Sequence, residues 1–286
     1  YQSQPRVTRQ SEYKNLFPSV SAKYNILRNF ELQAGYSKAI GRAPIDNLTG
    51  LWNIVEDAAG VTQRVDAPNP ALLPEYIKKY DARLACYFGG RTPGQVSVSV
   101  SQFDVTNLRE TYDYTAEEFG IDDPEYVDYI FRSTRNSDRS RRNRNMEFSY
   151  QQTLGFLPEK FRGTSFNVAY TRSYASARRN GMAPHRVTSR LGYAYHRFNG
   201  SLGMVWIDDR PDGNYGIFRP EQTQFDLSLN WKLSTAISLY VQGRNITSQG
   251  VKWMASPPGA IERQDASLRQ YQEYGANWVF GVKGQF

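Results

Sequence analysis

The stretch YGANWVFGVKGQF, residues 274–286, decides the fold class of this sequence. Its even-numbered positions are Tyr, Ala, Trp, Phe, Val, Gly and Phe, whereas its odd-numbered positions are mainly polar residues and glycine. Successive side chains of a β-strand point to opposite faces, so this alternation predicts a strand with one apolar and one mainly polar face.

The same alternation recurs upstream and predicts about eleven strands, near residues 17–26, 30–40, 78–88, 95–108, 144–157, 164–175, 186–198, 201–208, 223–233, 236–247 and 273–286. The strand at 201–208 is ambiguous, because Leu202, Met204 and Trp206 compete with Val205 and Ile207 for the apolar face. Most of these strands reach the roughly 9–11 residues that a tilted strand needs to cross a membrane.

The predicted connections alternate between short turns and long loops. The short ones are residues 27–29, 89–94, 158–163, 199–200 and 234–235, and the long ones are about 41–77, 109–143, 176–185, 209–222 and 248–272. Short turns at one end and long loops at the other are typical of outer-membrane barrels, and a soluble β-sandwich rarely has this asymmetry. The pattern therefore predicts an all-β fold, an antiparallel transmembrane β-barrel with long extracellular loops.

Composition alone suggests a different class of protein. The 286 residues carry a net charge of +7 and have a mean hydropathy of −0.64, as a soluble basic protein would. The mean hydropathy does not reveal the apolar face of a membrane barrel, because every second residue of each strand faces a polar lumen and lowers the mean. Aromatic residues near strand ends favour the barrel, since they form girdles at the membrane interfaces: Tyr24, Phe30, Phe88, Phe148, Phe166, Trp231, Trp278 and Phe286.

Three further stretches resemble segments of the TonB-dependent outer-membrane receptors. Residues 16–45, which include LFPSVSAKY and AGYSKAIGRAP, resemble the family segment LPSLNLKY…LRASYSKTITRP. NPALLPE at 69–75 resembles the NPDLKPE box, and LYVQGRNIT at 239–247 is similar to LFFEGRNLTN. The motifs occur in the family's order, and the last strand resembles the C-terminal β-signal that the barrel assembly machinery reads, here Trp278, Phe280, Val282 and Phe286.

The resemblance implies a 22-strand barrel plugged by an N-terminal globular domain, of which residues 1–286 would form the second half. Eleven strands begin and end in the same direction, so they cannot close antiparallel on themselves. The implied function is TonB-energised import across the bacterial outer membrane of a bulky scarce nutrient, such as a ferric siderophore, cobalamin or an oligosaccharide. The implied partners are the missing plug and barrel half, the TonB complex acting through that part, the assembly machinery, and outer-membrane lipid and lipopolysaccharide; no cofactor is implied.

Candidate binding residues fall into two groups. Loop aromatics offer flat surfaces on which a ligand can stack: Trp52, Tyr112, Tyr215, Phe218 and Trp253. Polar residues of the strands are predicted to face the lumen: Arg83, Arg190, His196, Lys232, Arg244 and Lys283. The basic ones hint at an anionic ligand, although acidic residues of a plug would pair with them equally well.

The loop at 109–143 is the most charged segment. Its acidic part opens with a capping box, Thr115-x-x-Glu118, which predicts a short helix, and the spacing of its acids matches no calcium loop. A basic run follows, with arginines at 132, 135, 139, 141, 142 and 144. At an outer-membrane rim, lipopolysaccharide phosphates or solvent are better partners for this run than nucleic acid.

The search for catalytic and metal-binding residues is negative. Cys86 falls on an apolar face, and His185 and His196 lie at opposite ends of one predicted strand, too far apart to share a metal. No nucleophile elbow, phosphate loop or dinucleotide fingerprint occurs in a fitting context. Two alternatives stay open: a passive porin-like or structural barrel, and a barrel hydrolase that would use Asp208, Asp209 or His185.

Overall fold

In the computed structural model of the protein, residues 14–49, 52–56, 63–90, 92–176, 180–212, 216–257 and 265–284 are described. Within them the strands are β1 (Ser19–Leu27), β2 (Phe30–Gly41), β3 (Asn53–Glu56), β4 (Gln63–Ala67), β5 (Glu75–Phe88), β6 (Gly94–Thr106), β7 (Leu108–Tyr114), β8 (Ile130–Ser137), β9 (Arg141–Thr153), β10 (Thr164–Ala175), β11 (His185–Tyr195), β12 (Phe198–Ile207), β13 (Arg210–Pro211), β14 (Ile217–Arg219), β15 (Gln222–Lys232), β16 (Ile237–Arg244), β17 (Val251–Ala255), β18 (Ser267–Gln272) and β19 (Asn277–Gly284). The helices in the described ranges are α1 (Ile45–Leu48), α2 (Ala116–Phe119) and two 3-10 turns, Pro124–Tyr126 and Glu159–Phe161. Among these residues, no helix is long and apolar enough to cross a membrane.

Eleven strands form one antiparallel main sheet, in the order β1-β2-β5-β6-β9-β10-β11-β12-β15-β16-β19. All eleven strands that alternation predicts are present, with ends that differ by a few residues. β1 and β19 are the two edges of this sheet, and no pairing between them occurs in the described ranges. The fold is therefore all-β and mostly antiparallel, as predicted.

The register of the main sheet divides it into two faces. Residues that pair across neighbouring strands share a face, as Leu229, Val241 and Phe280 do on β15, β16 and β19. One residue per strand defines the apolar face: Val20, Leu32, Leu84, Val98, Phe148, Phe166, Leu191, Leu202, Leu227, Val241 and Phe280. The opposite, polar face contains Ser21, Gln33, Arg83, Ser99, Glu147, Asn167, Arg190, Ser201, Asp226, Gln242 and Lys283.

The ambiguity in β12 is resolved by its neighbours. Leu202 pairs with Leu191 on one side and with Leu227 on the other, so Leu202, Met204 and Trp206 belong to the apolar face. A one-residue slip would move every side chain of β12 to the other face.

The two ends of the main sheet differ as predicted. At the short-turn end, strands are joined by brief connections such as residues 28–29 and 196–197. The predicted turn at 199–200 is wrong, because both residues pair with β11 within β12 and the chain turns at 196–197 instead. At the long-loop end, the connections contain two small sheets, which the sequence did not predict. The first loop sheet has the order β3-β4-β8-β7, with β4 and β8 parallel, and the second has the order β13-β14-β17-β18.

The first loop sheet has a core of its own. Val65 and Phe131 are fully buried, and Ala116 of α2 packs with them. The predicted capping box starts α2, because the Glu118 amide donates to Thr115 Oγ1 and the Thr115 amide donates to Glu118 Oε2 at 2.9 Å. This core gives the loop at 109–143 a folded structure of its own.

Candidate functional site

Five of the six predicted lumen residues lie on the polar face: Arg83, Arg190, Lys232, Arg244 and Lys283. Lys232 and Lys283 both pair with Ser238, so they are two strand spacings apart, or about 10 Å. In another row, Gly203 lies between Arg190 and Asp226. Because this glycine adds no side chain, the row leaves space between the guanidinium and the carboxylate.

His196 differs from the prediction. β11 ends at Tyr195, and His196 lies in the turn to β12 with a left-handed φ of 50°. Its ring packs edge-on against Tyr195, with 4.2 Å between the ring centroids. The strand ends one residue before His196, so His196 does not share the polar face with Arg190 as the alternation predicted.

Basic residues outnumber acidic ones on the polar face. The basic residues there are Lys23, Lys79, Arg83, Arg141, Arg186, Arg190, Lys232, Arg244 and Lys283, and the acidic ones are Glu31, Glu75, Asp81, Glu147 and Asp226. Two of the acids are held by neighbouring lysines, Glu31 by Lys23 at 2.5 Å and Asp81 by Lys79 at 3.3 Å. The face thus has a surplus of positive charge.

Two of the predicted stacking residues belong to the first loop sheet. Trp52 meets Phe131 and Tyr126 edge-on, at 5.4 and 6.0 Å between centroids, and 41% of its surface stays exposed. Tyr112 donates its hydroxyl proton to Glu110 Oε2 at 2.6 Å, and this bond raises the pKa of the Tyr112 hydroxyl. Trp52 thus takes part in the loop core while one part of its ring remains accessible.

Two other predicted stacking residues, Phe218 and Trp253, belong to the second loop sheet. Phe218 of β14 pairs with Pro211 and with Met254, the neighbour of Trp253. The indole Nε1 of Trp253 donates to Asp212 Oδ2 at 2.5 Å, and the Arg219 guanidinium lies 4.7 Å from the centre of its ring. The fifth, Tyr215, lies outside the described residues.

Asp212 and two arginines form a cluster that the sequence did not predict. Arg219 Nε donates to Asp212 Oδ2 at 2.6 Å, and Arg210 pairs with Arg219 across β13 and β14. Burial opposes ionisation of Asp212, but the bonds from Arg219 and Trp253 hold its pKa below the ordinary value. The only sequence signal was the spacing of Asp212 and Arg219 around a turn, which carries no specific chemistry.

Arg210 is incompletely satisfied in this cluster. Its Nη1 is buried without a hydrogen-bond partner in the described part of the chain, and its Nη2 donates to Gln222 Oε1 at 3.4 Å. Burial, followed by repulsion from Arg219, lowers the pKa of Arg210. An unpaired buried donor is costly, so an anionic group placed here would gain a strong hydrogen bond.

The basic run of the 109–143 loop does not form one patch. Three of its arginines make contacts within the first loop sheet: Arg132 donates to Asp113 at 2.7 Å, Arg135 lies over the Tyr114 ring, and Arg139 is 4.0 Å from Glu110. Arg141 lies on the polar face, and Arg142 and Arg144 lie on the opposite face. The Arg132 bond holds the pKa of Asp113 below its ordinary value.

The residues considered for catalysis have structural contacts. Asp208 Oδ1 accepts from the Asp209 amide, and Asp209 Oδ1 accepts from the Glu221 amide, at 2.9 and 2.8 Å. His185 Nδ1 is 2.6 Å from the Tyr170 hydroxyl, and Cys86 pairs with Phe30 and Val96 on the apolar face. In the described ranges, no group of three or more His, Cys, Asp or Glu side chains is placed to hold a metal.

The predicted assembly-signal residues are partly described. Trp278, Phe280 and Val282 lie on the apolar face of β19, where Phe280 and Val282 are about 70% exposed. Phe286 lies outside the described residues. An exposed aliphatic and aromatic row on an edge strand needs a covering phase or partner.

Comparisons with known proteins give one family and a set of similar folds. A family model described as "TonB dependent receptor-like, beta-barrel" matches residues 1–246. No curated protein sequence matches the chain.

Several solved structures share the fold. The ferric enterobactin receptor PfeA of Pseudomonas aeruginosa, solved as a mutant with enterobactin, is 13% identical and has a TM-score of 0.68 over 95% of this chain and 41% of its own. The siderophore receptor PirA of Acinetobacter baumannii is 12% identical, with a TM-score of 0.61 over 95% and 41%. The hemophore receptor HasR of Serratia marcescens, solved with its hemophore HasA and heme, is 15% identical, with a TM-score of 0.60 over 94% and 39%. The chain thus spans about 40% of the length of these proteins.

Proposed function

The chain belongs to the TonB-dependent receptor-like β-barrel family, and from this premise we propose that it forms part of the barrel of an outer-membrane active transporter. The observation that carries the proposal is the family match over residues 1–246, and the eleven-stranded sheet with its loops at one end is consistent with it. In this assignment the apolar face contacts lipid and the polar face lines the lumen, and transport draws on energy from the TonB complex.

The chain corresponds to the second, C-terminal half of a 22-strand barrel. Supporting this, it spans about 40% of the similar receptors, and the two edges of its sheet are not joined to each other in the described residues. Backbone groups exposed at such edges are costly in lipid, so further strands are needed to close the wall. The plug and first barrel half are the partners that complete the transporter, and the barrel assembly machinery contacts the apolar row Trp278, Phe280 and Val282.

The transported ligand is a bulky anion, and a ferric siderophore is the first candidate. The surplus of basic residues on the polar face and the unsatisfied Arg210 support a negatively charged ligand. The accessible parts of the loop aromatics Trp52, Tyr112 and Phe218 supply stacking surfaces. Cobalamin and neutral oligosaccharides do not use this charge, and they are the competing ligands.

Uptake by cells that produce the full-length protein tests the proposal. We expect iron accumulation from a ferric catecholate siderophore that is abolished by a protonophore, because TonB transmits energy from the inner membrane. A passive porin would give uptake that the protonophore leaves unchanged, and that result would contradict the proposal.

A matched pair of variants tests the ligand's charge. Replacing Arg190 and Arg244 with Gln removes two basic residues from the polar face and is expected to reduce uptake about tenfold or more, since a charge-assisted bond is worth about 1.5–3 kcal/mol. The control replaces Arg28 and Lys160, which lie in connections at the short-turn end, with Gln. Equal uptake by both variants would remove the support for an anionic ligand.

A further inference from the structure

The NPALLPE segment, residues 69–75, leads from the first loop sheet back to the main sheet. It follows the end of β4 at Ala67 and reaches β5 at Glu75, and between these two residues the chain pairs with neither sheet. Its two prolines lack a backbone N–H. The remaining polar groups of its main chain need partners outside the strand ladders, because unpaired backbone groups are costly when they are buried.

Two asparagines exchange side-chain bonds between this segment and β8. Asn69 Nδ2 donates to the Thr134 carbonyl at 2.9 Å, and Asn136 Oδ1 accepts from the Leu73 amide at 2.7 Å. Asn136 Nδ2 also donates to the Leu73 carbonyl at 3.0 Å, so one side chain pairs with both main-chain groups of Leu73. Asparagine can do this because its amide carries an acceptor as well as donors. Each of the two asparagines thus binds the main chain of the opposite segment.

The junction of β6 and β7 joins the same network. Asn107 lies between these strands with a left-handed φ of 58°, at the point where the chain passes from the main sheet into the first loop sheet. Its side chain donates to the Pro74 carbonyl at 2.9 Å, and its own carbonyl accepts from Asn136 Nδ2 at 3.1 Å. The amide and the guanidinium of Arg109 both donate to the Glu75 carboxylate, at 3.1 and 3.3 Å.

These bonds lie in a mostly buried part of the molecule. The side chains of Glu75 and Arg109 are each only 17% exposed. Leu72, which precedes Leu73, and Leu108, which follows Asn107, are both more than nine-tenths buried. We call the five side chains that make the bonds the clasp: Asn69, Glu75, Asn107, Arg109 and Asn136.

The clasp bonds three separate parts of the chain to one another. Four connections join the described strands of the first loop sheet to the main sheet, β2–β3, β4–β5, β6–β7 and β8–β9. The clasp links the β4–β5 and β6–β7 connections to the end of β8, where Asn136 lies. A single connection allows the loop sheet to rotate about main-chain bonds, whereas three cross-linked ones oppose that rotation.

We propose that the clasp positions the first loop sheet for capture of a bulky ligand that contacts both Trp52 and the polar face of the wall. This inference rests on the proposed function, which supplies the ligand. A ligand that touches two surfaces binds more tightly when they are already held in the right arrangement, because less conformational freedom is lost on binding. The clasp side chains are therefore positioning residues, which act through Trp52 and do not touch the ligand.

Distances between spin labels test the positioning without any ligand. In the full-length protein with Cys86 replaced by Ala, one label is attached at Val127→Cys in the β7–β8 connection and the other at Leu191→Cys on β11, both exposed positions. We expect one narrow distance distribution with the intact clasp. Asn136→Ala removes three clasp bonds and should give a broad distribution, because the loop sheet then takes several orientations.

Hydrogen exchange separates a displaced loop sheet from an unfolded one. The amides of Val65 and Phe131 belong to the core of the first loop sheet and should keep their protection in Asn136→Ala. The Leu73 amide, which donates to Asn136, should lose it. If Val65 and Phe131 also lose protection, the loop sheet has unfolded, and Asn69→Ala, which leaves all the bonds of Asn136 in place, replaces this variant in both experiments.

Ligand binding by the same full-length proteins tests the role in capture. The probe is a ferric tris-catecholate siderophore with radioactive iron, applied with a protonophore so that binding is measured without uptake. We expect Asn136→Ala to weaken binding about tenfold, which corresponds to about 1.4 kcal/mol. Trp52→Leu keeps an apolar contact for Phe131 but removes the stacking surface. In that background Asn136→Ala should cause little further loss, because two residues that act through one contact are not additive.

Asn245→Ala is the matched control. Asn245 also makes three side-chain bonds, two with the main chain of Gln249 and one with the Gly275 carbonyl, but it lies in the β16–β17 connection. Any effect of Asn245→Ala on binding should add to that of Trp52→Leu, because Asn245 does not act through the first loop sheet. The distance distribution between positions 127 and 191 should stay narrow in this variant.

A narrow distribution in Asn136→Ala would overturn the proposal, and so would a broad distribution with unchanged affinity for the siderophore. Additive losses from Asn136→Ala and Trp52→Leu would show that the clasp does not act through Trp52 and would also overturn it. A wild type that does not bind the siderophore would contradict the ligand named in the proposed function instead. The distance distributions would then still decide whether the clasp holds the loop sheet in place.

Discussion

At the scale of single residues, Trp253 combines a packed ring with a polar bond. Its indole N–H donates to the Asp212 carboxylate, and the Arg219 guanidinium lies over its ring. The N–H and one face of the ring therefore already have partners within the second loop sheet. Replacing Trp253 with Phe keeps a ring for Arg219 but removes the bond to a charged acceptor. We expect this to reduce the stability of the second loop sheet by about 1.5–3 kcal/mol, measured by hydrogen exchange of residues 251–255.

Asp212→Asn provides the matching variant for that experiment. If the Trp253–Asp212 bond carries the effect, the double variant should lose less protection than the sum of the two single variants. Unchanged protection in Trp253→Phe together with lost ligand binding would instead assign Trp253 to direct contact with the ligand.

Gly281 is a residue that the strand pattern alone would allow to vary. It pairs with Tyr240 on the polar face, and a Cβ at Gly281 would lie 2.4 Å from the Tyr240 ring. Gly281→Ala should therefore displace the ring and cost about 1–3 kcal/mol, seen as a lower melting temperature of the folded barrel. Gly90→Ala is the control, because a Cβ there meets nothing within 4 Å. Equal melting temperatures for the two variants would show that Tyr240 moves without cost.

At the scale of elements, the first loop sheet is held by an ion pair that responds to pH. The pKa of Asp113 is lowered by its bond to Arg132, so the pair contributes its full stabilisation above the unfolded pKa of about 3.9 and loses it as pH falls through the lower folded value. Protection of residues 130–137 against hydrogen exchange should be constant from about pH 5 to 8 and decline only below about pH 4. Asp113→Asn should remove this acid-dependent decline, and a decline that persists in that variant would assign it to another group.

The individual strands show which parts of the fold the sequence could predict and which parts it could not. Period-2 alternation located all eleven strands of the main sheet, because each strand contrasts an apolar with a polar face. It failed where that contrast is absent, as in Asn53–Glu56 and Gln63–Ala67, whose pairing depends on the buried core around Phe131. The arginine run shows a similar limit: its members lie within 13 residues of sequence, yet strand geometry sends the adjacent Arg141 and Arg142 to opposite faces.

At the scale of the whole molecule, the register of the main sheet accounts for the transport proposal. The polar face carries the basic surplus that suits an anionic ligand, and the apolar face carries the aliphatic and aromatic side chains that suit contact with lipid. The low mean hydropathy and the net charge of +7 are thus compatible with a membrane barrel, because both quantities combine the apolar face, the polar face and the loops. Alternation within each strand predicted five of the basic residues on the polar face, whereas strand pairing was needed to show which of them lie side by side, because they come from distant parts of the chain.

The assignment of the two faces is itself testable with adjacent residues of β15. Leu229 lies on the apolar face and Ser228 on the polar face, and each can be changed to Cys in a full-length protein in which Cys86 is replaced by Ala. After labelling with a thiol-reactive fluorophore and reconstitution in lipid vesicles, we expect a nitroxide attached to the lipid chains to quench the label at 229 strongly and the label at 228 weakly. Successive strand residues point to opposite sides, so the comparison is insensitive to depth along the strand. Equal quenching at the two positions would contradict a wall with one lipid face, and reversed quenching would place the basic polar face against lipid and refute the transport proposal.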